Sequence, residues 1–298
     1  MARSPRGRIV KGEVGERVHA ALRRVWPDPS TIDKVQIRAL GGGVSPRTFL
    51  ATAEKQRCVL RMPSPSSMAL LDLPAEARAM RAVAAADLAP AVVAVDVEAG
   101  LLLTEYWRAP WTNEMVREPL AITTVARLLR ALHSLPVDLP EIRVADIAAR
   151  YLGELESGAG EPLRPDERRR ADELRRLAAL HVENHPAEAF CHNDLVAANI
   201  LTDGRAARLI DFEYAGRAAP LLDLANLAGM NDFTKAQRRL LLAEYYGGPP
   251  AESLVDELDE AIRMVQLLGY FWARLAARRA GGAVEYLQFA TNIGATLK

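Results

Sequence analysis

The stretch Cys191-His192-Asn193-Asp194-Leu195-Val196-Ala197-Ala198-Asn199, followed by Leu209-Ile210-Asp211-Phe212-Glu213, decides how this chain is read. It sets one Asp, one Asn and a second Asp at a spacing that suits phosphoryl transfer. One carboxylate can accept a proton from an alcohol, while an amide oxygen and a second carboxylate can hold magnesium against phosphates. The residues between them predict a tight hairpin. Asn199 to Thr202 is apolar and extended, Asp203-Gly204 is a turn pair, and Ala206 to Ile210 is the return strand. Such a hairpin would bring Asn199 beside Asp211, twelve positions later.

The chain of 298 residues is long enough for one large domain or two lobes. Its 38 basic and 38 acidic side chains cancel, so no global field argues for nucleic acid or an anionic membrane. The two cysteines, Cys58 and Cys191, sit among apolar neighbours and read as buried thiols in a reducing cytoplasm. The basic start, Met1-Ala-Arg-Ser-Pro-Arg-Gly-Arg, leads into no apolar run and reads as a frayed tail rather than a signal peptide. No apolar stretch is long enough to span a bilayer.

Outward from the motif, the two thirds of the chain differ in period. Glu16 to Val25 has helical spacing. Val35–Leu40, Phe49–Thr52, Arg57–Met62, Ala91–Val97 and Leu101–Trp107 read as strands, and Pro74–Ala85 as a helix with Pro in its first turn. One antiparallel sheet with a helix across it accounts for residues 30–107. After the linker Ala109-Pro110-Trp111-Thr112, helices are expected near 114–134, 144–157, 167–182, 219–230, 234–247, 252–279 and 283–296, with a loop at 157–167. Short strands near 189–191, 199–202 and 206–210 carry the motif. The run Glu167-Arg168-Arg169-Arg170 reads as a solvated helix face. The expected fold is α+β, with residues 1–107 and 108–298 as its two parts.

These segments resemble the catalytic and metal-binding motifs of the choline/ethanolamine kinase and aminoglycoside phosphotransferase superfamily. Ile210-Asp211-Phe212-Glu213-Tyr214-Ala215 and Asp223-Leu224-Ala225-Asn226 look most like the choline kinase branch. The resemblance implies a bilobal protein-kinase-like fold that uses ATP and Mg2+. It makes Asp194 the catalytic base, with His192 supporting the loop, and Asn199 and Asp211 the magnesium ligands. Glu213, beside the metal Asp, leans toward metal or cation. Asp223 braces the catalytic loop or caps the helix near 224.

On the nucleotide side, Gly41-Gly42-Gly43-Val44-Ser45 lies between two strands, where backbone amides can approach phosphates without a Cβ in the way. It is neither a Walker A loop nor Gly-x-Gly-x-x-Gly. Arg61 is the central charge of Cys58-Val59-Leu60-Arg61-Met62, where protein kinases place Lys and choline kinase-like proteins commonly use Arg. Its planar fork can clamp two phosphate oxygens. Glu76 is the only Glu in Pro74–Ala85 and is assigned as its ion-pair partner. Leu101-Leu102-Leu103-Thr104-Glu105-Tyr106-Trp107 matches an interlobe hinge, with Glu105 and Tyr106 flanking the adenine contact.

Asn193 stands where protein kinases carry the Arg that reads a phosphorylated activation loop, and no Ala-Pro-Glu follows Glu213. A small alcohol is therefore the expected acceptor, and a quaternary ammonium would be held in an aromatic cage. Trp272 matches the second Trp of a choline kinase Trp-x-x-Trp pair, and Phe289 matches the aromatic seventeen residues on. Gly269 stands where the first Trp would be, which predicts either room for a larger acceptor such as thiamine or a weakened cage. The acidic stretch Glu252 to Glu260 reads as a solvated helix face rather than a polyamine site.

Overall fold

The computed structural model describes residues 18–20, 22–23, 34–40, 47–53, 56–62, 72–107, 109–157, 162–203 and 206–297. The chain divides into two compact units: Met1–Ala109 with Leu201–Tyr214, and Pro110–Ile200 with Ala215–Lys298. The motif-bearing segment is thus divided, Asp194 and Asn199 falling in the second unit and Asp211 and Glu213 in the first.

The first unit is built on an antiparallel sheet of β1 (Gln36–Leu40), β2 (Arg47–Ala53), β3 (Gln56–Met62), β4 (Val92–Asp96) and β5 (Leu101–Glu105), in the order β1-β2-β3-β5-β4. Alternation along β3 buries Cys58, Leu60 and Met62 on one face, while Val59 and Arg61 point to the other. The buried face packs with Val18, Leu22, Phe49, Ala51, Leu101 and Leu103. Helix α1 (Leu73–Ala85) opens with Pro74, and the Asp72 carboxylate caps it by accepting the Ala75 N–H at 2.9 Å. Its apolar stripe, Ala75, Ala79, Met80 and Val83, is buried and carries Glu76 inward with it.

The second unit is mainly helical: α2 (Asn113–Val116), α3 (Pro119–His133), α4 (Val144–Ser157), α5 (Pro165–Asn184), α6 (Pro220–Met230), α7 (Lys235–Tyr246), α8 (Glu252–Arg279) and α9 (Val284–Thr296). Strand β6 (Ala189–Cys191) leads into the motif. A 3-10 turn, Ala197–Asn199, leads out of it to β7 (Ile200–Thr202) and β8 (Ala207–Leu209), the expected hairpin. Strand β9 (Gly216–Ala218) pairs antiparallel with β6, Gly216 opposite Cys191. Gly216 is required there, since a Cβ would lie 2.3 Å from Ile142 Cγ1.

Three expectations are corrected. The segment 114–134 is two helices rather than one, broken before Pro119, which can start a helix but cannot donate within it. Strand β9 was not anticipated. Glu167 is fully buried rather than solvated: its carboxylate accepts the Arg164 N–H at 2.9 Å and the Tyr270 hydroxyl at 2.8 Å. Arg168 and Arg169 of the same run are exposed, as expected of a solvated face. The glycine run at 41–43 and Ser45 lie outside the described residues, as does most of the Glu16–Val25 helix. Among the described residues no helix is long and apolar enough to cross a membrane.

His181 on α5 is buried, its Nε2 has no hydrogen-bond partner among the described residues, and its ring lies 4.9 Å from that of His185. Burial first, and then the neighbouring His185, lower its pKa from 6.5 to about 4. The unfolded chain takes up this proton near pH 6.5 and the folded chain only near 4. The stability is therefore present above pH 6.5 and is lost as pH falls through that window, by roughly 3 kcal/mol in total. Urea unfolding at pH 7 and pH 4.5 should show this loss in the native sequence and a shallower one in His181→Leu.

Candidate active site

The loop from His192 to Asn199 is irregular and largely buried, so its backbone donors cannot rely on a strand ladder or on water. Side chains from one face of α6 and its C-terminus supply the partners instead. Asp223 accepts the N–H groups of His192 at 2.8 Å and Asn193 at 2.7 Å. Asn226, three residues on, accepts the Leu195 N–H at 2.6 Å. Asn231, fully buried, accepts the Ala197 N–H at 3.0 Å and donates to the carbonyls of Leu195 and Leu227. Within the loop, His192 Nδ1 accepts the Asp194 N–H at 3.2 Å. This scaffold holds Asn193 at φ 64°, a left-handed conformation that costs a non-glycine residue energy unless its surroundings hold it there.

The Asn199 side-chain amide donates to both the carbonyl and Oδ2 of Asp194, each at 2.9 Å. Using the NH2 group this way leaves the amide oxygen, Oδ1, as the atom Asn199 can offer a cation. Tyr151 of α4 lies within the electrostatic reach of Asp194. Its phenol is pushed up chiefly by burial, with Arg150 opposing and Asp194 adding a small part.

The first unit brings four ionisable side chains together. Arg61, on the face of β3 opposite the core, bonds Glu76 of α1 and lies 2.5 Å from Glu213 Oε2 and 2.9 Å from Asp211 Oδ1. The Asp211 contact is an ion pair without hydrogen-bond alignment, so that oxygen is buried with no aligned donor among the described residues. Asp211 itself is left-handed, at φ 70°. One guanidinium facing three carboxylates leaves a local excess of two negative charges when all are ionised. Burial opposes the Arg61 charge, but Asp211, Glu76 and Glu213 outweigh it and hold the guanidinium above its ordinary range. Burial pushes the Glu76 carboxyl up more than Arg61 pulls it down. An all-oxygen donor set with surplus negative charge suits a hard divalent cation.

Of the hinge pair, Glu105 is exposed and its N–H is bonded to the Ala91 carbonyl at 2.9 Å. The Tyr106 N–H is bonded to the Arg57 carbonyl at 3.0 Å, and the Arg57 guanidinium covers the Tyr106 ring at 4.2 Å. Both amides are committed within the sheet edge.

The family model of the phosphotransferase enzyme family (APH) matches residues 36–278, which contain the loop, the hairpin and the Arg61 cluster. The chain belongs to this family. It is a small-molecule phosphotransferase with an α+β, protein-kinase-like fold. Among solved structures, the phosphotransferase is similar to a choline/ethanolamine kinase family protein from Mesorhizobium loti, at 24% identity and TM-score 0.75, covering 95% of this chain and 92% of that one. It is also similar to the choline kinase LicA from Streptococcus pneumoniae, at 16% identity and TM-score 0.78, covering 96% and 99%. A further structure of LicA is a complex with AMP. A third relative in fold is APH(2")-IIia in its GDP and kanamycin complex, at 15% identity and TM-score 0.66, covering 94% and 99%. Among curated proteins no significant match is found.

The phosphotransferase also brings together the two aromatics expected for the acceptor. Trp272 of α8 meets Phe289 of α9 edge-to-face, with centroids 5.8 Å apart, and Tyr286 joins them at 5.7 Å. All three rings are half-buried. Gly269 leaves no room: a Cβ there would already lie 3.3 Å from Ile293 Cδ1, with Met230 just beyond. Sequence reading missed Asn226 and Asn231 as loop partners, and Tyr151 and Tyr286. The Asn226 side chain was visible within Asp223-Leu224-Ala225-Asn226, at i+3 from a residue already given a bracing role. The others carry no signal along the chain.

Arg61→Met would leave three carboxylates facing one another. We expect it to cost about 3–5 kcal/mol at pH 7, the usual cost of removing one partner from a buried ionic group. Because the raised Glu76 carboxyl gains a proton more readily folded than unfolded, the deficit should shrink as pH falls from 7 to 5. Urea titrations of both proteins at the two pH values measure it.

Proposed function

We propose that this phosphotransferase uses ATP and magnesium to phosphorylate the hydroxyl of a small cationic alcohol, choline or ethanolamine first. The observation that carries the reading is the pairing of Asp194 with Asn199 in a loop whose backbone is held from several sides. Asp194 accepts the proton of the acceptor hydroxyl as the hydroxyl oxygen attacks the terminal phosphorus of ATP. ADP leaves with the bridging oxygen and its electron pair. Asn199 orients the Asp194 carboxylate through its NH2 group and offers Oδ1 to the metal, while Asp211 offers the oxygen that lacks an aligned donor. Glu213, whose Oε2 contacts Arg61, would add a further carboxylate to that metal position. Magnesium, when bound, screens the charge on the transferring phosphates. His192 supports the loop through Nδ1.

Arg61 steadies the phosphates from β3, held in place by Glu76. Its Nε–H is buried without a hydrogen-bond partner among the described residues, which supports a role toward an anionic ligand. Gly41, Gly42, Gly43 and Ser45 would bring backbone amides to the same phosphates, and the Glu105–Tyr106 segment would flank the adenine. Most of the rate gain then comes from positioning and charge neutralisation. On the acceptor side, Trp272 and Phe289, with Tyr286 beside them, supply aromatic surface for an ammonium group. The likeness in fold to a choline/ethanolamine kinase family protein and to the choline kinase LicA supports the same reading.

An aminoglycoside, thiamine or another amino alcohol is the second reading. Against a polycation, Glu252 and Asp259 of the acidic stretch are already paired with Arg239 and Arg238. Two buried thiols, Cys58 and Cys191, support a reducing, cytoplasmic setting.

ADP release from MgATP across choline, ethanolamine, thiamine, homoserine and several aminoglycosides is the deciding assay. One strong acceptor among the small cations supports the leading reading, and turnover only with a larger acceptor overturns it. Asp194→Asn and Asp211→Ala should each lower turnover on the order of a thousandfold or more with the fold intact. Near-native activity in either would remove that residue's role. Trp272→Ala should raise KM for the cationic acceptor roughly tenfold, a ring contact worth about 1.4 kcal/mol. An unchanged KM would make Trp272 a packing residue.

A further inference from the structure

Asp223 is held from a second direction. His133, the last residue of α3, places Nε2 at 3.0 Å from Asp223 Oδ2, and its Nδ1 lies 2.7 Å from the hydroxyl of Tyr245 on α7. The side chains of His133 and Asp223 are 4% and 0% exposed. The His133 and Tyr245 rings meet edge-to-face with centroids 5.5 Å apart.

The direction of the His133–Asp223 bond follows from donor accounting. Burial pushes the Asp223 carboxyl up, but the His133 hydrogen bond and charge, the nearby His192 and the His192 amide together pull it net below the ordinary carboxylate range. An ionised carboxylate only accepts, so His133 Nε2 carries the hydrogen. His133 Nδ1 and the Tyr245 hydroxyl make the second hydrogen bond. Burial pushes the Tyr245 phenol up, so it keeps its proton. The contacts form a chain from the Tyr245 hydroxyl through the His133 ring to Asp223, where the amides of His192 and Asn193 also arrive. Cys191, whose Sγ also lies near His133 and Asp223, turns its thiol to the carbonyls of Ala218 and Ala219 instead.

We propose that His133 and Tyr245 are positioning residues of the phosphotransfer site: through Asp223 they hold the left-handed turn at Asn193 and so aim the carboxylate of Asp194. Neither touches the reacting atoms. The proposal rests on the reading of Asp194 as the group that receives the acceptor proton, and its test has an arm that does not need turnover.

The test uses Tyr245→Phe, His133→Leu and His133→Gln in the full chain. Gln can place an NH2 donor where Nε2 stands, whereas Leu cannot. The first readout is hydrogen exchange of the His192 and Asn193 amides. Exchange should quicken about tenfold in Tyr245→Phe, more in His133→Leu, and return toward native in His133→Gln. The second is kcat with the best acceptor, alongside titration of the non-hydrolysable analogue MgAMP-PNP. The kcat per bound nucleotide should fall about tenfold in Tyr245→Phe, with KM and a stoichiometry of one unchanged. A merely structural role would lower the stoichiometry and leave kcat per occupied site alone. Native exchange rates in Tyr245→Phe, or a Gln variant as impaired as the Leu variant, would overturn the proposal. If His133→Leu does not fold, Tyr245→Phe carries the test alone. Absence of turnover in the native chain with every acceptor would sink the functional reading while the exchange arm still judges the positioning.

Discussion

The buried carboxylate of Asp223 is the contact on which the rest of the second unit's chemistry depends. The loop that carries Asp194 is neither strand nor helix, so its backbone has no regular ladder to close on. An irregular buried loop leaves amides that would each cost on the order of 1–3 kcal/mol if unmatched. Helix α6 solves this with acceptors on one face, Asp223 and Asn226, and a third, Asn231, at its C-terminus. The helix is otherwise apolar and fully packed, so these polar side chains have nowhere to go but the loop.

The first unit handles a different problem. Its ionisable cluster is overcharged rather than undersupplied with donors, one guanidinium standing among three acids. The loop amides of His192, Asn193, Leu195 and Ala197 are matched by side chains of the same unit. The Arg61 cluster instead carries more negative than positive side chains. The two halves of the motif thus differ in kind: one is organised by hydrogen bonding, the other by charge.

Much of this was legible in the sequence, and the pattern of what was not is physical. Strands β1 to β5 and the long helices declare themselves because burial on one face imposes a period. Strand β9 does not, being three residues long and defined only by its partner β6. Asp194, Asn199 and Asp211 are readable because their spacing along the chain is itself the signal. His133 and Tyr245 are 90 and 112 positions from their partners, and no local pattern ties a helix-end His to a distant Asp. Glu213 shows what adjacency leaves out: its place two residues from Asp211 is plain in the sequence, but its contact with an arginine 152 positions away is not. Gly269 shows the opposite limit. A missing side chain reads as space, but Ile293 and Met230 have filled it.

The dependence of the loop on α6 also sets an order of assembly. Its amides find their acceptors 30 to 34 residues further along the chain. Until residues 223–231 have been made and coiled into a helix, the segment around Asp194 has no partners with which to fix its shape, and the entropy of closing that stretch must be met first. On a ribosome, the segment around Asp194 becomes ordered only after residues 223–231 have emerged, and β6 likewise waits for its strand partner β9.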